Sequence, residues 1–347
     1  MKCMSKNDLP SLHGLRALAT IGIFLFHAGF VPYGTFPVTL FFMLSGFLMY
    51  YTKHSSNSLS SFRIWMTTYV YRKWKDFFPL HLLTFVIACI VGNVFQKPLH
   101  ESIPSGILNL LLIHPFFEQY ALSYNGLCWF LAVTLFLYVI SYFLFKGIVR
   151  IRSTTAHMIV TLLTIIALSL MTRFGIPLYL YTNPIYRILD FWLGMLIAKT
   201  YTEKEHPLLI GTVIEVILVI VFLAQYLLSL FIGITPGYYS VLFAIAIYVF
   251  AAGKGVVSKI LSADIFRKIS FYSFEFYMVH ELALRVFRNV IPAISTHYLV
   301  SCTIVAIPSL IISIALAVTY KKISMAAKKS IILRSTAERV CDSSTSK

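Results

Sequence analysis

Arg16 and His27 are the residues whose types and spacing point most directly to chemistry. Both belong to one apolar stretch, LRALATIGIFLFH, at 15–27. On an α-helix, residues eleven apart are offset by about three turns plus 20° and by about 16 Å along the axis. The two side chains should therefore share one helix face. A neutral imidazole can act as a general base near pH 7, and a guanidinium can bind phosphate through two parallel hydrogen bonds.

A charged and an imidazole side chain on one face of a membrane helix should face a protein interior or an aqueous cavity, since exposure to lipid is costly. A phosphate site near the cytosolic end of the helix and a base about three turns deeper suit a long acyl carrier such as coenzyme A. The alternative interpretation is a snorkelling Arg16 and a structural His27.

Two further stretches add small and cationic side chains. FFMLSGF at 41–47 contains Ser45 beside a glycine, so a neighbouring helix can approach closely. Ser45 as a nucleophile lacks the surrounding GxSxG elbow. YRKWKDFFP at 71–79 is interpreted either as a membrane anchor with proline in the first helical turn, or as a cationic wall for phosphates. The cations of that wall are Arg72, Lys73 and Lys75.

The stretch SFYSFEFYMVHELALR at 270–285 places several polar groups in one apolar run. Glu275 and His280 could line a shared cavity, although a single histidine is more often structural. A third polar pair, Arg187 and Asp190, has i, i+3 spacing and is interpreted as a structural ion pair within one helix.

Composition and charge define the class of protein. Hydrophobic residues make up 59% of the 347-residue chain and charged residues 12%, and the mean hydropathy is +0.81. A soluble domain has about twice that charged fraction. The formal charge of +16 resides mainly in short loops between apolar runs, which favours contact with anionic lipid and not with nucleic acid. The five cysteines are scattered, with no metal-ligand spacing, so no metal site is predicted.

Apolar runs long enough to span a membrane recur along the whole chain. They predict an all-α, polytopic membrane protein of about ten transmembrane helices, at 12–31, 37–53, 77–95, 128–147, 156–172, 186–200, 207–231, 237–252, 269–290 and 298–320. Lysine and arginine are enriched in alternate loops, which places both termini in the cytoplasm. We expect a transmembrane domain over 1–320 and a basic, partly disordered cytoplasmic tail over 321–347. The longest outer connection, 96–127, is a candidate lid.

Together these stretches resemble the acyltransferase-3 family of integral-membrane acyltransferases. The resemblance is carried by Arg16 and His27 with ten residues between them, then by FFMLSGF, the cationic run ending at Pro79, CWFL at 128–131, FWLGMLIA at 191–198 and YSFEFYMVH at 272–280. It covers nearly the whole chain. One departure is Asp76, at a position where the family often has arginine; Lys73 or Lys75 is expected to compensate.

The resemblance implies transfer of an acyl group, usually acetyl, from cytosolic acyl-coenzyme A to a hydroxyl of a cell-surface or exported glycan. It implies a catalytic His27 and a donor-binding Arg16. Arg72, Lys73, Lys75, Ser45, His280 and Glu275 complete the expected substrate-binding set. Acyl-coenzyme A is expected as a substrate with no bound cofactor, and the protein as a multi-pass component of a bacterial cell membrane. The expected partners are a glycan or lipid-linked sugar acceptor, membrane lipids and glycan-synthesis machinery.

A different class of protein would use the same buried charges. A transporter or flippase for a lipid-linked sugar or a small metabolite would line its pathway with arginine, histidine and glutamate. Such proteins often show paired repeats with short, broken spans, and no repeat is apparent in this sequence. Release of free coenzyme A thiol from acetyl-coenzyme A separates the two classes.

Overall fold

The computed structural model describes residues 8–54, 61–95, 102–203, 211–232, 237–291 and 297–345. Within these ranges the regular structure is helical. The helices are α1 (Pro10–His27), α2 (Thr35–Lys53), α3 (Phe62–Trp65), α4 (Tyr71–Val94), α5 (Ile103–Leu110), α6 (Cys128–Val149), α7 (Thr154–Arg173), α8 (Pro184–Glu203), α9 (Thr212–Ile232), α10 (Tyr238–Ala252), α11 (Val256–Leu261), α12 (Asp264–Val290) and α13 (Tyr298–Thr345).

The helices divide into an inner group and an outer group. In the described part of the chain, five helical segments are long and apolar enough to cross a membrane: Phe62–Val94, Cys128–Val149, Thr154–Arg173, Thr212–Phe231 and Tyr298–Ser330. Only 17% of the apolar window of α7, α9 and α13 is buried, so these helices present most of their surface outward. The chain is therefore an all-helical membrane protein. Each of the ten predicted spans overlaps a helix, and the number of helices that cross the membrane stays a prediction.

The inner group consists of α1, α2, α8 and α12. The most extensive contacts in the fold join α2 to α8, α12 to α13 and α1 to α12. Fully buried apolar side chains between them include Phe42, Met43, Phe47, Phe191 and Leu193. These inner helices carry Arg16, His27, Ser45, Arg187, Asp190, Glu275 and His280, because a polar group in the bundle interior can find a partner that lipid cannot supply.

α2 and α8 touch through their backbones at two glycines. A Cβ added to Gly46 would lie 1.9 Å from the carbonyl oxygen of Phe191, and one added to Gly194 would lie 2.0 Å from that of Met43. The contact is reciprocal, since each glycine faces the backbone of the partner helix. The close helix approach predicted from the small residues of FFMLSGF is confirmed.

A buried ion pair stabilises the N-terminal parts of the same two helices. Arg187 Nη1 lies 2.6 Å from Asp190 Oδ2, and both side chains are completely buried. The guanidinium also donates to the carbonyl oxygen of Tyr181 at 2.7 and 2.9 Å and to the Thr39 hydroxyl at 3.2 Å. The predicted pair is confirmed, and its hydrogen bonds join α8 to α2.

The connection between α4 and α6 is tied to the bundle along its described part, 102–127. The carbonyl oxygen of Asn109 lies 3.1 Å from His81 Nε2 on α4. The Asn125 side chain donates to the carbonyl oxygen of Met278, and the Arg285 side chain donates to the carbonyl oxygen of Tyr124. Met278 and Arg285 both belong to α12. Residues 96–101 of the candidate lid lie outside the described residues. The remainder is anchored by these contacts to two helices.

The cationic run at 71–79 does not open a helix. The chain is already helical from Phe62, passes through one π-helical turn at Met66–Val70 and continues as α4, so Pro79 stands inside the helix. The interpretation of proline in a first helical turn is wrong. Trp65 explains the earlier start, because its buried ring packs against α6 and its Nε1–H donates to the carbonyl oxygen of Tyr138 at 2.9 Å.

Candidate functional site

Arg16 and His27 lie on one unbroken helix. α1 runs from Pro10, whose ring suits a first helical turn, to His27, its last helical residue. The chain then turns at Gly29, whose φ of +90° is easily adopted only by glycine. His27 is therefore at the C-terminal end of α1, four residues before the predicted end of the first span.

His27 contacts His280 directly. His27 Nδ1 lies 2.9 Å from His280 Nε2, with the ring centres 5.1 Å apart. His280 is completely buried and comes from α12, 253 residues further along the chain. The structure thus joins two histidines that the sequence places in separate motifs.

The hydrogen-bond geometry assigns the protons of this pair. His280 Nδ1 lies 3.2 Å from the carbonyl oxygen of Phe276, which can only accept, so Nδ1 carries the hydrogen. Nε2 of a neutral His280 is then an acceptor, and His27 must donate to it from Nδ1. This arrangement leaves a lone pair on His27 Nε2, which is the nitrogen that a general base requires.

Neighbouring side chains hold the two rings in place. The Phe276 ring stacks on His280 with centres 5.4 Å apart and planes at 5°, and Phe24 contacts its edge at 6.1 Å. Arg288 donates from Nη2 to the carbonyl oxygen of His27, a group that the end of α1 leaves without an intrahelical partner. Arg288 Nη1 also lies 3.6 Å from Glu281 Oε1. Both histidines are thus fixed from α12.

Four predicted site residues converge on one cavity of about 330 Å³. Arg16, Ser45, Lys73 and Glu275 line it, from α1, α2, α4 and α12 respectively. A second cavity of about 360 Å³ shares Arg16, Ser45 and Lys73 as lining residues. Tyr138 of α6 also lines both cavities. Cavities of this size suit part of a cofactor-sized ligand.

The cations of this cavity differ in their partners. Within the described residues, the side chains of Arg16 and Lys73 form no hydrogen bond or ion pair with protein groups. The Arg16 guanidinium stands 6.0 Å from the Phe41 ring centre, and Lys73 Nζ stands 6.0 Å from the rings of Tyr69 and Tyr138. Both cations are thus directed into the cavity and available to an anion.

The structure does not place the whole cationic cluster in the cavity. Arg72 and Lys75 are exposed and line neither cavity, and Lys75 Nζ lies over the Tyr71 ring at 4.6 Å. Of the two lysines expected to compensate for Asp76, Lys73 is the one at the cavity. The substrate-binding roles of Arg72 and Lys75 stay predictions.

Sequence reasoning missed two lysines of α13. Lys321 and Lys328 line the 330 Å³ cavity and pair with Glu275 and Asp76, although both belong to the segment expected to be a tail. The helical backbone of α13 continues to Thr345, and residues 346–347 lie outside the described residues. The available signal was their spacing of seven residues, which puts them on one helix face.

Tyr277 relates the cavity to the histidine pair. Its ring lines the cavity and lies 5.8 Å from the His280 ring. His27 itself lines neither cavity. A ligand arm that passes from the cavity towards His27 would therefore meet Tyr277 first.

The histidine pair and the cationic cavity thus lie within one helical membrane bundle. The comparisons with known proteins identify its family. The family model described as an acyltransferase domain, acyltransferase-3, matches residues 9–318. The chain belongs to this family.

The curated proteins include a distant relative. The chain is 29% identical over 114 residues to the acyltransferase MdmB of Streptomyces mycarofaciens, an alignment that covers 28% of this chain and 27% of that protein. The chain therefore matches about a quarter of the relative's length. No solved structure gives a significant match. The alternative of a transporter or flippase has no support among these comparisons.

Proposed function

We propose that this acyltransferase moves an acyl group, most simply acetyl, from cytosolic acyl-coenzyme A to a hydroxyl of a cell-surface or exported glycan. The observation that supports a base-catalysed transfer is the 2.9 Å contact of His27 with His280, which leaves Nε2 of His27 free to accept a proton. The cavity cations Arg16 and Lys73 support an anionic donor.

The donor binds with its phosphates against Arg16 and Lys73, while Arg72 and Lys75 attract it to the cytosolic surface. Ser45 and Glu275 line the passage of the pantetheine arm, and the thioester is brought past Tyr277 towards His27. Binding energy from the remote phosphates is thereby used to position the reacting carbonyl carbon.

His27 Nε2 removes the proton of the acceptor hydroxyl as its oxygen attacks the thioester carbonyl carbon. The carbon–sulfur bond breaks, and the thiolate of coenzyme A takes the proton from the imidazolium. His280 accepts the hydrogen of His27 Nδ1 throughout and keeps the ring oriented, so it is a positioning residue and not a ligand of the sugar. A direct transfer of this kind requires no covalent acyl-enzyme.

The proposed topology has about ten spans with both termini in the cytoplasm. The alternation of lysine- and arginine-rich loops supports it. α1 then enters from the cytoplasm with Arg16 in its first half and ends at His27 towards the outer side, where the 102–127 connection lies against α12. The acceptor, free or lipid-linked, reaches the histidine pair from that side.

The test is single-turnover acyl transfer with purified protein, acetyl-coenzyme A and a candidate glycan, followed through release of the free thiol. His27→Gln should reduce the rate by about 10²-fold or more, because general-base catalysis contributes about 10²–10⁴-fold. His157→Gln is the matched control, since His157 is exposed on α7. Its rate should equal that of the unaltered protein.

The proposal predicts that His27→Gln keeps its yield and its affinity for coenzyme A. A well-folded His27→Gln protein with unaltered turnover would contradict the assignment of the base. Mass spectrometry of surface glycans from a deletion strain would identify the acceptor. If every glycan of that strain kept all its acyl groups, the proposed substrate class would be contradicted.

A further inference from the structure

The C-terminal helix forms one wall of the 330 Å³ cavity. Lys321 and Lys328 line it together with Ser324 and Met325. Residues seven apart lie about two turns apart on nearly the same face of a helix. α13 therefore presents a strip with two lysines to a cavity that already contains Arg16 and Lys73.

Each of these lysines is held by a carboxylate from a different helix. Lys321 Nζ lies 2.7 Å from Glu275 Oε1 on α12, and Lys328 Nζ lies 2.5 Å from Asp76 Oδ1 on α4. The Asp76–Lys328 pair is about half exposed, with side-chain exposures of 46% and 53%. Exposed ion pairs contribute little to stability, so a stronger anion can replace the carboxylate at small cost.

The charges of the cavity match a ligand with several phosphates. Four cations line it against two carboxylates, and the carboxylates are both occupied by lysines of α13. Arg16 and Lys73 alone would face the diphosphate and the 3′-phosphomonoester of coenzyme A. A phosphomonoester carries nearly two negative charges at pH 7, so two cations leave much of the ligand's charge without a partner.

We propose that Lys321 and Lys328 of the C-terminal helix complete the phosphate site, and that Asp76 holds Lys328 in place of the phosphates until the donor binds. On binding, Lys328 transfers from the half-exposed Asp76 to a phosphate oxygen of coenzyme A, whereas Lys321 contacts phosphate and stays paired with the buried Glu275. The inference rests on the proposed acyl-coenzyme A donor. It also explains Asp76, because this acidic residue pairs with a cation supplied by another helix while the donor is absent.

An anionic lipid headgroup offers the same phosphate chemistry, and the lysines of α13 could bind lipid instead. Lys322 and Lys329 provide the matched control. They stand one residue further along the same helix, are exposed and do not line the cavity. A role in lipid binding would make the two lysine pairs equivalent, whereas a role at the cavity would distinguish them.

The experiment measures coenzyme A binding by calorimetry in nanodiscs of neutral lipid. The double variant Lys321→Ala, Lys328→Ala should bind about tenfold more weakly than the unaltered protein, since it loses two charge-assisted contacts that are partly screened by solvent. The double variant Lys322→Ala, Lys329→Ala should remain within about twofold. Equal losses in the two double variants, or no loss in either, would overturn the inference.

The variant Asp76→Asn tests the inference independently, because the expected change in coenzyme A affinity has the opposite direction. Removal of the competing carboxylate should strengthen coenzyme A binding by about two- to fivefold, as expected for a single exposed charge. Weaker binding by this variant would overturn the inference, because it would show that the carboxylate supports the donor site. The Asp76 side chain is 46% exposed, so this variant should fold as the unaltered protein does.

Two further measurements distinguish coenzyme A from lipid as the source of the phosphate. They also distinguish failure of the inference from failure of the proposed function. With 3′-dephospho-coenzyme A, the difference between the unaltered protein and the Lys321→Ala, Lys328→Ala variant should shrink. If phosphatidylglycerol nanodiscs abolish that difference for coenzyme A itself, the lysines serve lipid and the inference is overturned. Absence of coenzyme A binding by the unaltered protein would overturn the proposed function, and the inference with it.

Discussion

At the scale of single residues, the direction in which His27 and His280 share a hydrogen decides which nitrogen meets the substrate. The carbonyl oxygen of Phe276 fixes this direction through His280 Nδ1. Replacement of His280 by leucine removes the acceptor for His27 Nδ1–H, so the ring can rotate or change tautomer. Acyl transfer should fall by about 10²-fold, with the coenzyme A affinity kept, as measured by single-turnover rates and calorimetry.

His280→Gln separates positioning from packing. The glutamine amide can present an oxygen near the position of the imidazole Nε2, so it should restore part of the rate lost in His280→Leu. A purely structural His280 would instead give two variants with the same rate per folded molecule and different yields.

Arg16 is the second residue with a distinct expectation. Its guanidinium lines both cavities and has no ion pair within the described residues. Arg16→Ala should weaken coenzyme A binding by about tenfold or more, whereas Arg16→Lys should recover only part, because a point charge cannot replace a bidentate fork. Calorimetry on monodisperse protein measures both. Unchanged affinity in Arg16→Ala would remove Arg16 from the donor site.

The sequence predicted part of this chemistry. Helical periodicity placed Arg16 and His27 on one face, because both lie within one helix and local geometry is sufficient. It could not predict the contact of His27 with His280, which is a tertiary contact across 253 residues. It also could not predict that Lys73 faces the cavity while Arg72 and Lys75 do not. The rotation of α4 within the bundle decides which of these neighbouring cations lines the cavity.

At the scale of helices, the contact of α2 with α8 makes a sharp prediction about stability. Gly46→Ala places a methyl group 1.9 Å from a backbone carbonyl oxygen, where no side chain can move aside. The helices must separate, at a cost of about 3 kcal/mol or more. The fraction of monodisperse protein and its thermal unfolding in detergent should both fall.

Gly147→Ala on α6 is the matched control. The nearest atom to its added methyl group is 3.9 Å away, an ordinary contact, so the variant should be as stable as the parent or gain up to about 1 kcal/mol. Equal behaviour of the two alanine variants would show that α2 and α8 are not in backbone contact.

The hydrophobic pattern located the helices, since each predicted span overlaps one. It failed at the start of α4, where charged and polar residues around Trp65 resemble a cytosolic loop. The ring of Trp65 is buried by α6, and such a tertiary contact is not encoded in local hydropathy. The tail shows the same difficulty: a basic sequence after 320 predicts a solvated segment, whereas α13 carries Lys321 and Lys328 to a cavity wall.

At the scale of the whole molecule, the distribution of charge predicts an even number of spans with both ends cytoplasmic. Reporter fusions after Ser335 and within 97–105 should report opposite sides of the membrane. A fusion within 150–153, in another lysine- and arginine-rich loop, should agree with the fusion after Ser335. If the fusions after Ser335 and within 97–105 reported the same side of the membrane, the proposed topology would be wrong.

The contact between α2 and α8 also has a mechanical consequence. Helices that meet through glycine and carbonyl groups cannot slide or rotate against each other without separating, and Arg187 ties the same two helices together. Displacements that admit a long ligand must therefore occur in helices held by side chains. α13 is such a helix, since two ion pairs join its cavity wall to α4 and α12. α2 and α8 therefore form the rigid part of the bundle, and an entrance for a long ligand would open at the wall that the side chains of α13 form.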